Sequence, residues 1–311
     1  MPKNSGRMET PKVTVRLCSG LGNQLFQFAC GLAEARNRGA SLAFDTTWYP
    51  IVARIHRPIR RLRLQEFGLP VPESFHGWRR WIIGFAAAAF DRTGHGRTFL
   101  QRAGRMTVVQ ETKALRKQSR EDWEDSQNIY LNGYWQTSDH FLAVKDELQR
   151  TIGSRPLVSV GARNLMSCIA EHKSGFIHIR RGDYAALVGE AGLLPVEYYR
   201  NAVEAVGGSG WHWFLFSEDE EWTRHNLQFL PSSEVVSYDS TNRDIEDLLL
   251  MASCQAGIIA NSSYSWWGAA LGERAGRTVV APDRYWNCAN SDTRDWVLPE
   301  WRTVRGWPTK T

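Results

Sequence analysis

Lys12-Val13-Thr14-Val15-Arg16-Leu17-Cys18-Ser19-Gly20-Leu21-Gly22-Asn23-Gln24 carries the clearest signal of architecture in the 311-residue chain. Lys12 to Leu17 alternates polar and apolar side chains, the period of a strand with one buried face. Cys18 to Gly22 is a glycine-bearing turn. From Asn23 onward Leu25, Phe28, Leu32 and Ala35 recur at helical spacing, and Gly39 stands where a helix often ends on a left-handed residue. Ser41 to Phe44 reads as the next strand. Strand, glycine loop, helix and strand in that order make a βαβ unit, and such units build parallel sheets.

The same alternation returns in the second half. Strands are expected at Gly175–Arg180, Trp211–Phe216, Glu234–Tyr238, Ala256–Ala260 and Thr278–Ala281. Helices are expected at Val196–Val206, Ile245–Cys254 and Ser263–Arg274, with Thr241 and Asp244 as a capping box for the second. Between the halves, Asn128–Gly133 reads as a strand and His140–Thr151 as a helix. A chain of this length exceeds one ordinary domain. Ser154-Arg155-Pro156 is a candidate hinge, so the expected domains are 1–155 and 156–311. The fold class is α/β, with two Rossmann-like lobes whose parallel sheets face an interlobe cleft. The segment 45–120 is irregular, basic and tryptophan-bearing.

Hydrophobic residues make up 42% and charged residues 23%, a globular composition that leaves two cores within reach. The five cysteines are scattered and form no CxxC, which argues against a disulfide framework or zinc site and fits a reducing, cytoplasmic setting. No apolar run opens the chain, so no secretory signal is read. The most apolar stretch, Trp81 to Phe90, is about half of what a bilayer crossing needs and reads as a core or amphipathic helix, with partial insertion at a membrane surface as the alternative. The net charge of +5 is unevenly placed: residues 51–105 hold eleven arginines against Glu66, Glu73 and Asp91. That stretch is either a solvated face or a surface for peripheral contact with an anionic ligand or the inner face of a membrane. A nucleic-acid-binding role would also suit a basic chain, but no recognition-helix or RNA-stacking motif accompanies it, and no nucleic-acid partner is expected. Fourteen tryptophans would suit a carbohydrate-binding module, which leaves the adjacent arginines at 180 and 181 without a purpose.

In parallel sheets ligands bind at the carboxyl ends of strands. Three polar clusters fall there. The first is His178-Ile179-Arg180-Arg181-Gly182-Asp183-Tyr184. Two adjacent arginines are costly to bury without anionic partners, and a guanidinium fork matches phosphate oxygens. A structural ion pair with Asp183 is the simpler alternative. The second cluster is Ser217-Glu218-Asp219. Its carboxylates could accept from a guanine base or ribose hydroxyls, or cap the following helix. The third, Asn261-Ser262-Ser263-Tyr264-Ser265-Trp266-Trp267-Gly268, is a strand end running into a helix start. Its N–H groups and hydroxyls suit a phosphate, or amount to ordinary serine capping. Trp266 and Trp267 read as core. Gly20-Leu21-Gly22-Asn23-Gln24 departs from the dinucleotide fingerprint because Leu25 stands where a third glycine belongs. The chain has no P-loop, HExxH or nucleophile elbow. It also lacks a clean Asp-x-Asp to hold a metal beside a diphosphate, so arginine would have to neutralise one.

Taken together, Gly20-Leu21-Gly22-Asn23-Gln24-Leu25-Phe26-Gln27, His178-x-Arg180-Arg181-Gly182-Asp183-Tyr184, Ser217-Glu218-Asp219 with Trp222, Asn261 through Leu271, and Ala281-Pro282-Asp283-Arg284-Tyr285-Trp286 resemble the α-1,2-fucosyltransferases of glycosyltransferase family 11. The resemblance is collinear from about residue 13 to 288. It implies a two-lobed GT-B-like fold, GDP-fucose as donor substrate in the C-terminal lobe, inversion at the anomeric carbon, and no metal or other cofactor. By it Arg180 holds the diphosphate with Arg181 in support, and His178, Glu218 and Asp219 face the nucleoside. Asn261, Ser262, Ser263 and Tyr264 line the donor, the last three meeting phosphates or fucose. Gly22, Asn23 and Gln24 position acceptor or phosphate. Members of the family usually carry two aspartates after the serine of the second cluster, where this chain has Glu218. The implied acceptor is a galactose-containing oligosaccharide or glycolipid, modified at its 2-hydroxyl. Asp183 is the candidate general base.

Overall fold

The computed structural model describes residues 10–51, 60–93, 101, 106–111, 126–182, 192–285 and 295–307, with no account of side chains at 87–93. The chain forms two compact units. The first comprises residues 1–65 and 69–144, the second residues 66–68 and 145–311. The division falls earlier than the hinge expected at Ser154–Pro156. The helix expected over His140–Thr151 is two helices, α4 (Ser138–Leu142) and α5 (Lys145–Gly153). The latter packs with the second unit, where Gln149 Nε2 donates to the carbonyls of Ala270 and Glu273 at 3.0 Å each.

The first unit has a four-stranded sheet of β1 (Lys12–Arg16), β2 (Ser41–Asp45), β3 (Thr107–Gln110) and β4 (Asn128–Asn132), ordered β2-β1-β4-β3 with every pairing parallel. The expected βαβ unit is its core. Helix α1 (Leu21–Arg38) connects β1 to β2, and Gly39 ends it at φ 59°, ψ 33°, with its N–H on the carbonyls of Ala35 and Arg36. The helix lies close on the sheet because Gly31 has no side chain: a Cβ there would sit 2.5 Å from Val15 Cγ2 and 2.9 Å from Leu42 Cδ1. Phe28 stacks on Phe44 at 5.3 Å. The segment expected to be irregular holds the short helix α2 (Trp48–Ile51), helix α3 (Gly77–Thr93) and strand β3.

The second unit has a six-stranded sheet of β5 (Ser174–Ile179), β6 (His212–Ser217), β7 (Ser233–Val235), β8 (Ala256–Ile258), β9 (Thr278–Pro282) and β10 (Arg302–Val304). The order is β10-β9-β8-β5-β6-β7, again all parallel. Its helices are α5, α6 (Val160–Glu171), α7 (Val196–Val206), α8 (Glu220–Asn226), α9 (Arg243–Ser253) and α10 (Ser263–Ala270). The α/β class with parallel sheets in two units agrees with the sequence reading. The capping box at Thr241 does not form: α9 starts after Asn242, which makes no side-chain cap bond. Strand β10 carries no sequence signal of its own, being three residues on the sheet edge, mostly exposed.

Two arginines close the C-terminal ends of α9 and α10, where helices leave carbonyls without intrahelical donors. Arg277 is buried and donates to the carbonyls of Ala269 (2.6 Å) and Met251 (2.7 Å), while Arg274 reaches those of Ala252, Ser253 and Cys254. Burial brings the Arg277 pKa down to about 10.

Close packing on β8 gives a test. A Cβ at Gly257 would collide with the ring of Phe176, on the neighbouring strand β5. Gly257→Ala should lower stability by roughly 1–3 kcal/mol, because the ring has to leave its rotamer. Thermal denaturation measures it; an unchanged melting temperature would mean that this contact is not tight.

Candidate functional site

The order of the second sheet fixes where a ligand can enter. From β5 the chain steps outward through β6 to β7, then returns to the opposite edge of β5 and steps outward through β8, β9 and β10. Connections leaving β5 and β8 therefore diverge, and the crevice beyond their carboxyl ends is the ordinary ligand position of an open parallel sheet. Ile177 pairs with Ile258 and Ile179 with Ser217, so the segments after β8, β5 and β6 emerge side by side. Those segments are the three polar clusters picked out in the sequence.

All six residues of β5 are buried. His178 sits near its end with its Nδ1 without a hydrogen-bond partner, and its ring lies 5.6 Å from that of Tyr264. Burial, assisted by the positive charge of Arg180, lowers its pKa to about 3, so it is neutral at physiological pH.

Both arginines after β5 are paired with carboxylates that follow β6; Asp183 and Tyr184 lie outside the described residues. Arg180 Nη1 donates to Glu218 Oε1. Arg181 Nε donates to Asp219 Oδ2 at 3.0 Å, and its guanidinium lies 4.1 Å above the Trp222 ring. Glu218 is the more exposed of the two carboxylates, and Gly182 leaves room for it: a Cβ there would lie 3.2 Å from the Glu218 carboxylate carbon. Asp219 has a second task. It is the N-cap of α8 and accepts from the Trp222 N–H at 3.1 Å. The capping alternative thus holds for Asp219 and not for Glu218.

The third cluster divides in the same way. Ser262 caps α10 by accepting from the Tyr264 N–H at 3.3 Å. Ser265 is buried and donates to the Ala260 and Ser262 carbonyls. The Tyr264 hydroxyl donates to the Asp244 carbonyl at 2.6 Å, and burial pushes its pKa well up, so this hydroxyl is committed to α9. Asn261 is buried and donates to the Tyr285 carbonyl at 3.1 Å. Ser263, at the first turn of α10, is partly exposed. Trp266 and Trp267 are core, as expected.

In the first unit the glycine loop after β1 is held by amides. Ser19 takes a left-handed φ of 68°, unusual for a residue with a Cβ. Asn23 Nδ2 donates to its hydroxyl and Gln24 Nε2 to its carbonyl. Gln24 is fully buried; it also donates to the Arg61 carbonyl at 2.8 Å and accepts from the Arg63 N–H at 2.9 Å. Gly22 is buried in the first turn of α1. Sequence reasoning missed two partners of this loop. Gln136 Nε2 donates to Asn23 Oδ1 at 2.6 Å, and Gln27 accepts from the Cys18 N–H and donates to the Gly133 carbonyl. Gln27 lies within the glycine-loop motif itself; Gln136 is 113 residues from Asn23 and carries no local signal. Arg16 was also missed. It is buried at the end of β1 and donates to Asn132 Oδ1.

The profile of Glycosyl transferase family 11 matches residues 114–305, more than half of the chain. Those residues hold all three strand-end clusters of the second unit, and the chain belongs to this family. It is a glycosyltransferase. It is 28% identical over 296 residues to an alpha-1,2-colitosyltransferase of Escherichia coli, covering 93% of this chain and 97% of that one. It is 36% identical over 124 residues to the O-antigen biosynthesis glycosyltransferase WbnK of Escherichia coli, covering 38% of this chain and 40% of the other. Among solved structures, fucosyltransferase NodZ from Bradyrhizobium aligns with a TM-score of 0.46 at 16% identity, over 84% of this chain and 92% of that one.

The buried imidazole sets a pH signature. A histidine that titrates near 3 when folded and near 6.5 when unfolded takes up its proton preferentially in the unfolded chain between those values. Its contribution to stability is therefore complete above about pH 6.5 and is lost as the pH falls toward 3. Relative to a His178→Asn variant, the wild type should lose stability on acidification. Urea midpoints for both proteins at neutral and mildly acidic pH measure this, and parallel shifts would contradict it.

Proposed function

We propose that the protein transfers fucose from GDP-fucose to the 2-hydroxyl of a galactoside, with inversion and without a metal ion. The supporting observation is Arg180 and Arg181 side by side at the end of β5, at the reversal point of the second sheet, next to the start of α10. Two guanidinium groups can meet two phosphates, and the first turn of α10 offers N–H groups to a further oxygen. Burial keeps His178 neutral in this crevice, so it adds no charge and can exchange a hydrogen bond with the nucleoside side of the donor. Glu218, the less committed carboxylate, is the candidate for the base contact, while Asp219 orients Arg181 and α8. Of the third cluster, Ser263 and the N–H groups around it remain for phosphate or sugar. Asn261, Ser262 and Tyr264 shape that turn through the bonds they already make.

The reaction is a single in-line displacement. The acceptor oxygen forms a bond to the anomeric carbon as the bond to the GDP oxygen breaks, and the leaving diphosphate gains negative charge. Arg180 is placed to stabilise that charge as it develops. Asp183 takes the acceptor proton in this reading, and Asp183→Asn tests that role. Asn23 and Gln24 act on the acceptor through the loop shape they fix. The acceptor is a galactose-containing oligosaccharide or glycolipid, and the setting is cytoplasmic.

A second reading, colitose in place of fucose as the transferred sugar, is favoured by the similarity to the colitosyltransferase over nearly the whole chain. The two sugars differ by one hydroxyl. Incubation with GDP-fucose, GDP-colitose, GDP-mannose and UDP-sugars against a panel of β-galactosides, with EDTA present and products read by mass spectrometry, separates the readings. Transfer from GDP-fucose that is unaffected by EDTA is the expected result; transfer only from GDP-colitose, or only without EDTA, would replace it.

Arg180→Ala should remain folded and lose about 10²–10³ in kcat. Arg180→Lys should recover little of it, since an ammonium cannot reproduce the planar fork. Near-normal turnover in Arg180→Ala would remove this residue from the mechanism.

A further inference from the structure

Helix α3 presents an apolar face that the first unit does not cover. Trp78 is 69% exposed, Trp81 50%, Ile82 42% and Phe85 62%. Their spacing of three, four and seven residues puts them on one stripe of the helix. The opposite face is anchored. Ile83 is buried in a cluster with Met106, Val108 and Tyr130, and Arg80 pairs with Glu73 at 3.2 Å. Gly84 lies so close to α2 that a Cβ there would collide with the Ile51 side chain. The stripe therefore faces outward because the helix is fixed from behind, not because it is loosely attached. Four neighbouring large apolar side chains on a helix are more than the scattered surface hydrophobics of ordinary proteins.

We propose that this face of α3 docks on the surface of a lipid bilayer rich in anionic headgroups, a role separate from sugar transfer. The composition around the stripe selects that occupant. Exposed Arg79 follows Trp78 and lies 5.8 Å from its ring, which puts a cation beside an indole, as at a membrane–water boundary. Residues 51–105 carry eleven arginines against three acidic residues, a charge of +8 by subtraction. A second copy of the chain is disfavoured as occupant, because a two-fold interface through α3 would bring together two copies of a segment with this net charge. An anionic bilayer meets both properties at once: aromatic rings enter the headgroup layer while arginines hold phosphates. No helix of the described residues is long and apolar enough to cross a membrane, so the mode is docking flat, not spanning.

The test is sedimentation of the full-length protein with vesicles of phosphatidylcholine alone and of phosphatidylcholine mixed with phosphatidylglycerol, at low and high salt. Binding is expected to the anionic vesicles and to weaken with salt. The triple variant Trp78→Ser, Trp81→Ser, Phe85→Ser should bind them at least about tenfold more weakly, since three partly inserted rings are removed. Its circular dichroism and its activity on a soluble acceptor should match the wild type. Arg79→Glu, which leaves the apolar stripe intact, gives an independent arm and should also weaken binding. Equal binding of wild type and triple variant, equal binding to neutral vesicles, or no binding at all would overturn the proposal. So would light scattering that finds a wild-type dimer abolished by the triple variant, because the stripe would then be an interface between copies.

Discussion

The second unit depends on β5 being hydrogen-bonded along both edges. It pairs with β6 over its whole length on one side and with β8 on the other, and every one of its residues is buried. A strand so placed has no freedom of direction, so the residues after it are delivered to one point. Those residues are a pair of arginines. The carboxylates that meet them come from the end of β6, and the serine-rich turn comes from beyond β8. The site is thus a product of strand order: three stretches separated by dozens of residues share a rim because their strands are neighbours in the sheet.

The two units treat their strand ends differently. After β1 the side-chain amides of Asn23, Gln24 and Gln27 are spent on the Ser19 hydroxyl, the protein's own backbone and Gln136, giving a loop whose shape is fixed from within. After β5 the polar groups are charged, and their partners include the half-exposed carboxylate of Glu218. Neutral amides in a buried loop are low-cost as long as every donor finds an acceptor, whereas guanidinium groups at a partly exposed rim keep their capacity to exchange partners. The first arrangement suits a scaffold and the second suits a ligand.

Much of this was legible in the sequence because the relevant signals are local. The alternation of Lys12–Leu17, the helical spacing after Asn23 and the left-handed glycine at position 39 each lie within a few residues of what they specify. The clusters of the second half were legible because polar residues directly after buried strands are conspicuous. Partners were not legible. Strand pairing brings Glu218 and Asp219 to Arg180 and Arg181 from 38 residues away, which no short window announces. The commitment of the Tyr264 hydroxyl to the Asp244 carbonyl depends on how α10 lies against α9, which no short window encodes. In segment 45–120 the apolar run Trp81–Phe90 announced helix α3, but its start at Gly77 and its exposed stripe were not legible, because its apolar residues fall on both faces and blur the amphipathic period.

The pairing of both arginines with carboxylates of the β6–α8 connection changes what recognition means there. An incoming anion does not compete with water for the guanidinium groups but with tethered acids that never diffuse away. A small univalent ion such as chloride gains too little from one contact to win that exchange. A chelating ligand with two linked acidic groups can displace or share both partners together. Selectivity for a doubly charged, bidentate ligand would thus be set before any ligand arrives, by rivals the protein carries in its own chain.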